Sequence, residues 1–82
     1  MYYVYIINST INKNIHFYVG STSDIDERLK SHNFGECIAT KAYRPWAIHA
    51  YFAFKSKETA LKFEKYLKSG SGRNFAQRHF EA

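Results

Sequence analysis

An arginine and a histidine stand four residues apart shortly after the one glycine of an aromatic segment. Arg28 and His32 follow Gly20 in the stretch HFYVGSTSDIDERLKSH. Side chains four residues apart share one face of a helix, so a helix here would present the guanidinium and the imidazole together. A phosphate-binding loop, a metal site and ordinary packing each account for this pattern.

A carboxylate in the second half of the chain falls where an amphipathic helix would be apolar. In the segment KETALKFEKYLKS, Ala60, Phe63 and Leu67 form an apolar stripe at helical spacing, and Glu64 lies within it. An ionised carboxylate facing a core needs an arginine, hydrogen bonds or a metal ion as its partner. A structural ion pair with Arg28, a side chain at the edge of the stripe, and a functional site explain Glu64 equally well.

Basic residues are concentrated in the last third of the chain. The formal charge of the protein is +5, and two acidic residues, Glu58 and Glu64, stand among the basic ones in this region. The basic residues are Lys55, Lys57, Lys62, Lys65, Lys68, Arg73 and Arg78. Such asymmetry is typical of a surface that binds a polyanion such as nucleic acid. A solvated, lysine-rich helix face is the alternative.

Two segments rich in aromatic and β-branched residues predict a β-hairpin at the start of the chain. The strands are expected over 2–7 and 15–20, joined by a loose turn over 8–14. A turn centred near residues 11 and 12 would pair Tyr5 with Tyr18, side by side on one face.

The remaining segments complete a ββαβαα order of elements. They are a helix from about 24 to 32 with Ser23 as N-cap, an irregular connection over 33–45, a strand over 46–54, a helix over 57–69 capped by Ser56, a breaker GSG over 70–72 and a short helix NFAQRHF. The hairpin would bring Tyr5 and Tyr18 next to the helix that carries Arg28 and His32.

Length and composition indicate one domain over residues 1–82. Seven Phe, seven Tyr and one Trp supply the large rings that a small core needs. The single cysteine, Cys37, cannot form an internal disulfide, and there is no leader peptide or long apolar run. We therefore expect a cytoplasmic protein that has no membrane partner.

Several motifs, taken in order, resemble the GIY-YIG nuclease family. They are YVY (3–5), YVG (18–20), Arg28 and His32 on the next helix, and Glu64 in ALKFEKYLKS. YRPW (43–46) and KSGSGR (68–73) look like the small stand-alone bacterial members. The resemblance covers essentially the whole chain, with one departure, because Tyr3 and Val4 precede Tyr5 where the name motif opens with glycine.

The resemblance implies an α+β fold, with a three-stranded antiparallel sheet flanked by helices. It also implies divalent-metal-dependent hydrolysis of DNA phosphodiesters. Matching positions give Tyr5, Tyr18, Arg28, His32 and Glu64 as catalytic residues, Glu64 as the ligand of a single Mg²⁺ or Mn²⁺, and Asn74 as a residue that lines the site. Gly20, as room for the substrate backbone or for the turn, and the basic residues Lys65, Lys68 and Arg73 are the other expected substrate contacts.

The residue types suit this chemistry. Tyr5 is expected to activate the water, as a base whose pKa of about 10 is lowered by nearby cations or by orienting it. Tyr18 would position the water or the phosphate, and His32 would relay or supply a proton. The fork of Arg28 matches a phosphate group.

Two further functions agree with the same residues. One is a nucleic-acid-binding module that keeps the nuclease fold without useful turnover, and the other is a basic protein-interaction domain. For an endonuclease, we expect weak sequence specificity or recognition of DNA structure, and a role in DNA repair or recombination. A protein partner or a homodimer would then supply specificity, and charge alone does not separate DNA from RNA.

Overall fold

The sheet at the centre of the protein has three antiparallel strands in the order β2-β1-β3. The computed structural model describes all residues from 1 to 82. The elements are β1 (Tyr2–Ile11), β2 (Asn14–Thr22), α1 (Ile25–Asn33), α2 (Ile38–Lys41), β3 (Ala47–Phe54), α3 (Lys57–Leu67) and α4 (Gly70–Phe80). The expected α+β fold is confirmed, with one additional short helix, α2.

The turn between β1 and β2 is tighter than the sequence suggested. It consists of Asn12 and Lys13, both with positive φ (52° and 69°), as in the two-residue turns that match strand twist. The strands therefore run to the turn, and Tyr5 pairs with Gly20. The expected loose turn and the pairing of Tyr5 with Tyr18 are wrong. The register moves by two residues, so each side chain stays on its predicted face.

The N-cap of helix α1 lies one residue later than expected. The side chain of Asp24, not Ser23, accepts a hydrogen bond from the backbone N–H of Glu27 at 3.1 Å. An aspartate at this position satisfies a free N–H and places negative charge at the positive end of the helix dipole. The helix ends before Gly35, whose φ of 80° favours glycine.

The connection over 33–45 contains helix α2, which the sequence did not predict. Asn33 holds the end of this connection, because its side-chain amide exchanges two hydrogen bonds with the backbone of Trp46. The indole N–H of Trp46 donates to the carbonyl oxygen of Thr40 at 2.8 Å. These contacts fix α2 beside α1, which matters for the site because Thr40 lies on α2.

Helices α3 and α4 meet at a closely packed corner. Ser56 caps α3 as expected, and Ser69 caps α4 by accepting from the N–H of Gly72. The expected break between the two helices is confirmed, but it lies at Lys68 and Ser69, and the GSG segment that was expected to form it is the first turn of α4. A Cβ on Gly72 would lie 1.8 Å from the carbonyl oxygen of Tyr66, which explains why glycine stands there.

The two faces of the sheet bury two separate cores, because side chains alternate along each strand. One core packs the sheet against α3 and α4, and its buried members are Val4, Ile6, Ala60, Leu67 and Ala76. The other contains Tyr5, Ile7 and Trp46, with Leu29 of α1 packed against it. Helices α1 and α3 thus lie on opposite faces of the sheet, and residues from both can meet only around an edge. None of the helices has the length and apolarity needed to cross a membrane.

Candidate active site

Tyr5 is a buried residue of the central strand, with 2% of its surface exposed. Its ring lies across Gly20 of the neighbouring strand, where a Cβ would be 2.3 Å from the tyrosine oxygen. The space beside Gly20 is therefore filled by the ring of Tyr5. A contact between Gly20 and substrate stays a prediction.

His32 links Tyr5 to helix α2. It is fully buried, with its Nε2 atom 2.8 Å from the Tyr5 oxygen and its Nδ1 atom 2.7 Å from Oγ1 of Thr40. The Thr40 hydroxyl donates to the carbonyl oxygen of Cys37 at 3.4 Å, so it accepts from Nδ1–H of His32. We assign the tautomer from this network: Nε2 is unprotonated and accepts from the Tyr5 hydroxyl.

Arg28 is the second partner of the Tyr5 hydroxyl. Its Nε–H donates to the tyrosine oxygen at 3.3 Å, and this hydrogen bond raises the pKa of Arg28. Burial raises the pKa of Tyr5 above 10, and the hydrogen bond and charge of Arg28 offset only part of that rise. The expected lowering of the Tyr5 pKa is therefore wrong, because desolvation of the phenolate outweighs the nearby cation.

The protonation state of His32 follows from the same surroundings. Burial lowers the pKa of His32, and the positive charge of Arg28 lowers it further. The imidazole is thus neutral at neutral pH, and its unprotonated Nε2 is directed at the tyrosine hydroxyl. Of the two expected roles of His32, the geometry suits proton acceptance better than proton supply.

Tyr18 stands beside this network at the sheet edge. Its ring centroid is 5.3 Å from that of His32, and the Nζ atom of Lys68 lies 5.6 Å from the Tyr18 centroid. Burial raises the pKa of Tyr18, so its hydroxyl is protonated at neutral pH. Tyr18 can therefore donate or accept a hydrogen bond next to Tyr5 without adding charge.

Glu64 on α3 has two hydrogen-bond partners. Oγ of Ser21 donates to Oε1 at 2.8 Å, and Nζ of Lys68 lies 2.9 Å from Oε2. Burial alone would raise the pKa of Glu64, but the hydrogen bonds from Lys68 and Ser21 outweigh it and lower the pKa. The carboxylate is ionised at neutral pH. Its ion pair is with Lys68, so the proposed structural pair with Arg28 is wrong.

The candidate site surrounds one edge of the sheet. Along β2, Tyr18 and Gly20 point to the face covered by α1, whereas Ser21 points to the face covered by α3. Tyr5, Arg28 and His32 therefore lie on one side of this strand and Glu64 on the other. Lys68 contacts both sides, since it binds Glu64 and lies over the ring of Tyr18.

A cavity of about 460 Å³ extends from this edge between β2 and α4. Four of the expected site residues line it, namely Tyr18, Lys68, Arg73 and Asn74. Gln77, one turn after Asn74, also lines the wall and was not predicted. Lys65 is exposed and lies outside the cavity wall, so the structure does not bring it together with the other four.

Three polar residues of the site were missed in the sequence: Ser21, Thr40 and Gln77. If the predicted second strand had been continued past Gly20, the alternation of side chains would have placed Ser21 on the face of the sheet that Glu64 contacts. Gln77 follows Asn74 at helical spacing. No local signal points to Thr40, since its contact with His32 depends on how the 33–45 connection folds.

Comparison with known proteins decides the family. The family model described as the GIY-YIG catalytic domain matches residues 1–78, a range that contains all five expected catalytic residues together with Lys68, Arg73 and Asn74 of the cavity wall.

The chain belongs to the GIY-YIG family.

Relatives of this GIY-YIG chain fall into two groups. UPF0213 protein BH0048 of Halalkalibacterium halodurans is 36% identical over 77 residues, covering 93% of this chain and 79% of that protein. The solution NMR structure of BH0048 matches with a TM-score of 0.51 at 32% identity, covering 95% of this chain and 82% of that one.

The second group consists of proteins named as SLX1 subunits of a structure-specific endonuclease. The subunit of Schizosaccharomyces pombe is 46% identical over 52 residues, covering 57% of this chain and 19% of that protein. The subunit of Chaetomium globosum is 41% identical over 70 residues, covering 78% and 21%. This GIY-YIG chain thus spans about a fifth of the length of these SLX1 relatives, and these names support a nuclease.

Glu64 offers the site one ionised carboxylate as a ligand for a divalent cation. No three His, Cys, Asp or Glu side chains are grouped so that they could hold a metal ion together, which leaves Glu64 as the ionised carboxylate of the site. Mg²⁺ keeps several waters and commonly takes one or two carboxylates together with substrate phosphates. One carboxylate at the sheet edge meets that requirement when the substrate supplies the remaining ligands.

Proposed function

We propose that this GIY-YIG protein is a metal-dependent endonuclease that hydrolyses phosphodiester bonds in DNA. The catalytic residues would be Tyr5, Tyr18, Arg28, His32 and Glu64. The observation that carries the proposal is the hydrogen-bonded series from Arg28 through the Tyr5 hydroxyl to a neutral, buried His32. A tyrosine with a donor on one side and a proton acceptor on the other is arranged for proton transfer.

In the proposed reaction, Tyr5 passes a proton from water to His32. The Tyr5 hydroxyl gives its proton to Nε2 of His32 while the tyrosine oxygen takes a proton from the attacking water. The products of this step are hydroxide and an imidazolium whose Nδ1–H still donates to Thr40. A free phenolate need not accumulate, so the raised pKa of Tyr5 is compatible with its role.

Arg28 would act on the charge that develops during attack. Its Nε–H stabilises negative charge on the Tyr5 oxygen, and its terminal NH₂ groups are left for the phosphate oxygens. The hydroxide forms a bond to phosphorus as the bond to the leaving oxygen breaks. Tyr18, at the edge of the sheet, would orient the water or the phosphate through its hydroxyl group.

Glu64 would hold the single Mg²⁺ or Mn²⁺. When bound, such an ion would supply positive charge that offsets the negative charge developing on the phosphate and on the leaving group. Ser21 keeps the carboxylate oriented by donating to one of its oxygens, and the lowered pKa keeps Glu64 ionised at neutral pH. The donor set is compatible with either ion.

The basic rim of the cavity would bind the DNA backbone. Lys68 and Arg73 are suited to phosphate groups and Asn74 to sugar or base, while Lys65 would add a contact outside the cavity. The SLX1 relatives are named as subunits of a structure-specific endonuclease, and we propose that this chain likewise recognises the structure of its DNA substrate and has a role in repair or recombination. A protein partner or a second copy of the chain would supply specificity.

Nicking of supercoiled, branched and flapped DNA with Mg²⁺ or Mn²⁺ tests this function. We expect metal-dependent cleavage by the wild type and a loss of about 10²–10³-fold in Arg28→Ala and Glu64→Gln, because each removes a group that stabilises charge in the transition state. Glu58→Gln is the matched control, since Glu58 lies on the same helix in an exposed pair with Lys62.

Other results would assign the chain differently. Salt-dependent DNA binding without cleavage in any metal would support a binding module that lacks turnover. The absence of salt-dependent binding would support a protein-interaction domain, and cleavage that persists in both site variants would contradict the proposed mechanism.

A further inference from the structure

Lys68 forms an ion pair with Glu64, the carboxylate that the proposed function assigns as the metal ligand. Its ammonium lies 2.9 Å from Oε2 of Glu64, which stands one helical turn earlier on α3, and Lys68 itself is the C-cap of that helix. A second pair at the same spacing on this helix, Glu58 and Lys62, is longer at 3.4 Å, and both of its side chains are more than three-quarters exposed. The Glu64 side chain is only 18% exposed, so the inner pair is screened much less by solvent.

A second contact holds Lys68 in place. The ammonium lies 5.6 Å from the centroid of the Tyr18 ring, within the range of a cation–π interaction. The lysine therefore has partners on both sides of strand β2. Such a defined position is unusual for a long side chain that is 46% exposed, and it places a positive charge between the two halves of the site.

A divalent cation bound to Glu64 would compete with Lys68 for the same carboxylate. Two cations that share one carboxylate oxygen repel each other strongly at a separation of a few ångströms. Because almost half of the Lys68 side chain is exposed and its stem is flexible, the ammonium can leave Glu64 without disturbing the core. The residue also lines the cavity with Arg73 and Asn74, so a position away from Glu64 is open to it.

We propose that Lys68 is a resident counter-ion that competes with the divalent metal for Glu64 and sets the metal affinity of the free protein. The inference rests on the proposed function, because it takes Glu64 as the metal ligand. Lys68 keeps the carboxylate paired in the metal-free protein and is displaced toward the cavity rim when a divalent ion binds. By linkage, anything that draws the ammonium away from Glu64, such as a phosphate group at the rim, strengthens metal binding.

Titration of the metal-free protein with Mn²⁺, followed by the EPR signal of free Mn²⁺, tests the inference. We expect Lys68→Met to bind Mn²⁺ at least about tenfold more tightly than the wild type, because the competing charge is removed. Lys62→Met removes the same charge from the outer pair and should bind as the wild type does. Lys68→Arg keeps the competing charge and should also resemble the wild type.

A double variant shows whether the gain acts through Glu64. Glu64→Gln in the Lys68→Met background should lose the tight Mn²⁺ site, since the amide offers no negative charge. Unchanged or weaker Mn²⁺ binding in Lys68→Met, or an equal gain in Lys62→Met, would overturn the inference while leaving the endonuclease proposal in place. If neither the wild type nor Lys68→Met binds Mn²⁺, the inference about Lys68 fails, whereas the endonuclease proposal is decided by the nicking assay, in which the substrate supplies the remaining metal ligands.

Cleavage provides an independent second readout. The Mn²⁺ concentration that gives half-maximal nicking should also fall in Lys68→Met, but by a smaller factor than the dissociation constant of the free protein, because DNA phosphate already draws Lys68 away from Glu64 in the wild type. Tight Mn²⁺ binding by Lys68→Met without any nicking by either protein would support the role of Lys68 and contradict the endonuclease.

Discussion

At the level of single residues, His32 decides how the proposed reaction depends on pH. Its unprotonated Nε2 accepts from the Tyr5 hydroxyl, and its pKa lies below the ordinary value of 6.5. As the pH falls through that lowered value, Nε2 becomes protonated and can no longer take the proton of Tyr5. The acid limb of kcat/KM for nicking should therefore lie below pH 6.5, and a limb above that pH would contradict the relay.

The lowered pKa of His32 also makes the free energy of unfolding depend on pH. The unfolded chain binds a proton to His32 near pH 6.5, whereas the folded protein resists it, so stability declines as the pH falls below 6.5. Glu64 adds a second loss at lower pH, because folding lowers the pKa of its carboxyl group below the ordinary value of 4.5. The ionised carboxylate therefore stabilises the fold above pH 4.5, and this stabilisation is lost as the pH falls through the pKa of the folded state. Urea unfolding from pH 7.5 to 4 measures both losses.

At the level of elements, the approach of β2 to β1 depends on the absence of a side chain at Gly20. A Cβ there would lie 2.3 Å from the Tyr5 oxygen and 2.5 Å from its ring carbon Cζ. Gly20→Ala should displace the ring from Arg28 and His32, cost about 1–3 kcal/mol of unfolding free energy, and reduce nicking. Urea unfolding and the nicking assay measure the two effects.

Gly70→Ala is the matched control for this substitution. No heavy atom lies within 4 Å of the Cβ position at Gly70, in the first turn of α4. Since alanine is a better helix former than glycine, this variant should be as stable as the wild type or more stable. Equal stability of the Gly20 and Gly70 variants would show that the Tyr5 ring does not need the glycine.

At the level of the whole molecule, the charge of +5 should make DNA binding depend on salt. Lys65→Gln and Arg73→Gln should each reduce the slope of log K against log[salt] by about one, because each removes one phosphate contact. Lys13→Gln changes the charge equally at the hairpin turn, away from the site, and should leave the slope unchanged. Fluorescence anisotropy with a labelled duplex measures the slopes, and equal slopes in all three variants would place the DNA elsewhere.

The sequence by itself determined those parts of the site that depend on local geometry. Helical spacing was sufficient to put Arg28 and His32 on one face, and to put Glu64 among the apolar residues of α3. The order of elements followed from strand and helix patterns that extend over six or more residues. The proposed catalytic roles came from the resemblance to the GIY-YIG family, to which the comparisons show that the chain belongs.

Only the tertiary structure decided how these residues meet. The hairpin register depended on positive φ at Asn12 and Lys13, and lysine is not a residue that signals such a turn. Thr40 reached His32 through a connection with no regular pattern, and Lys68 rather than Arg28 became the partner of Glu64. The pKa of Tyr5 lies above its ordinary value because the side chain is buried by residues that are distant in the sequence, and no local sequence pattern contains that information.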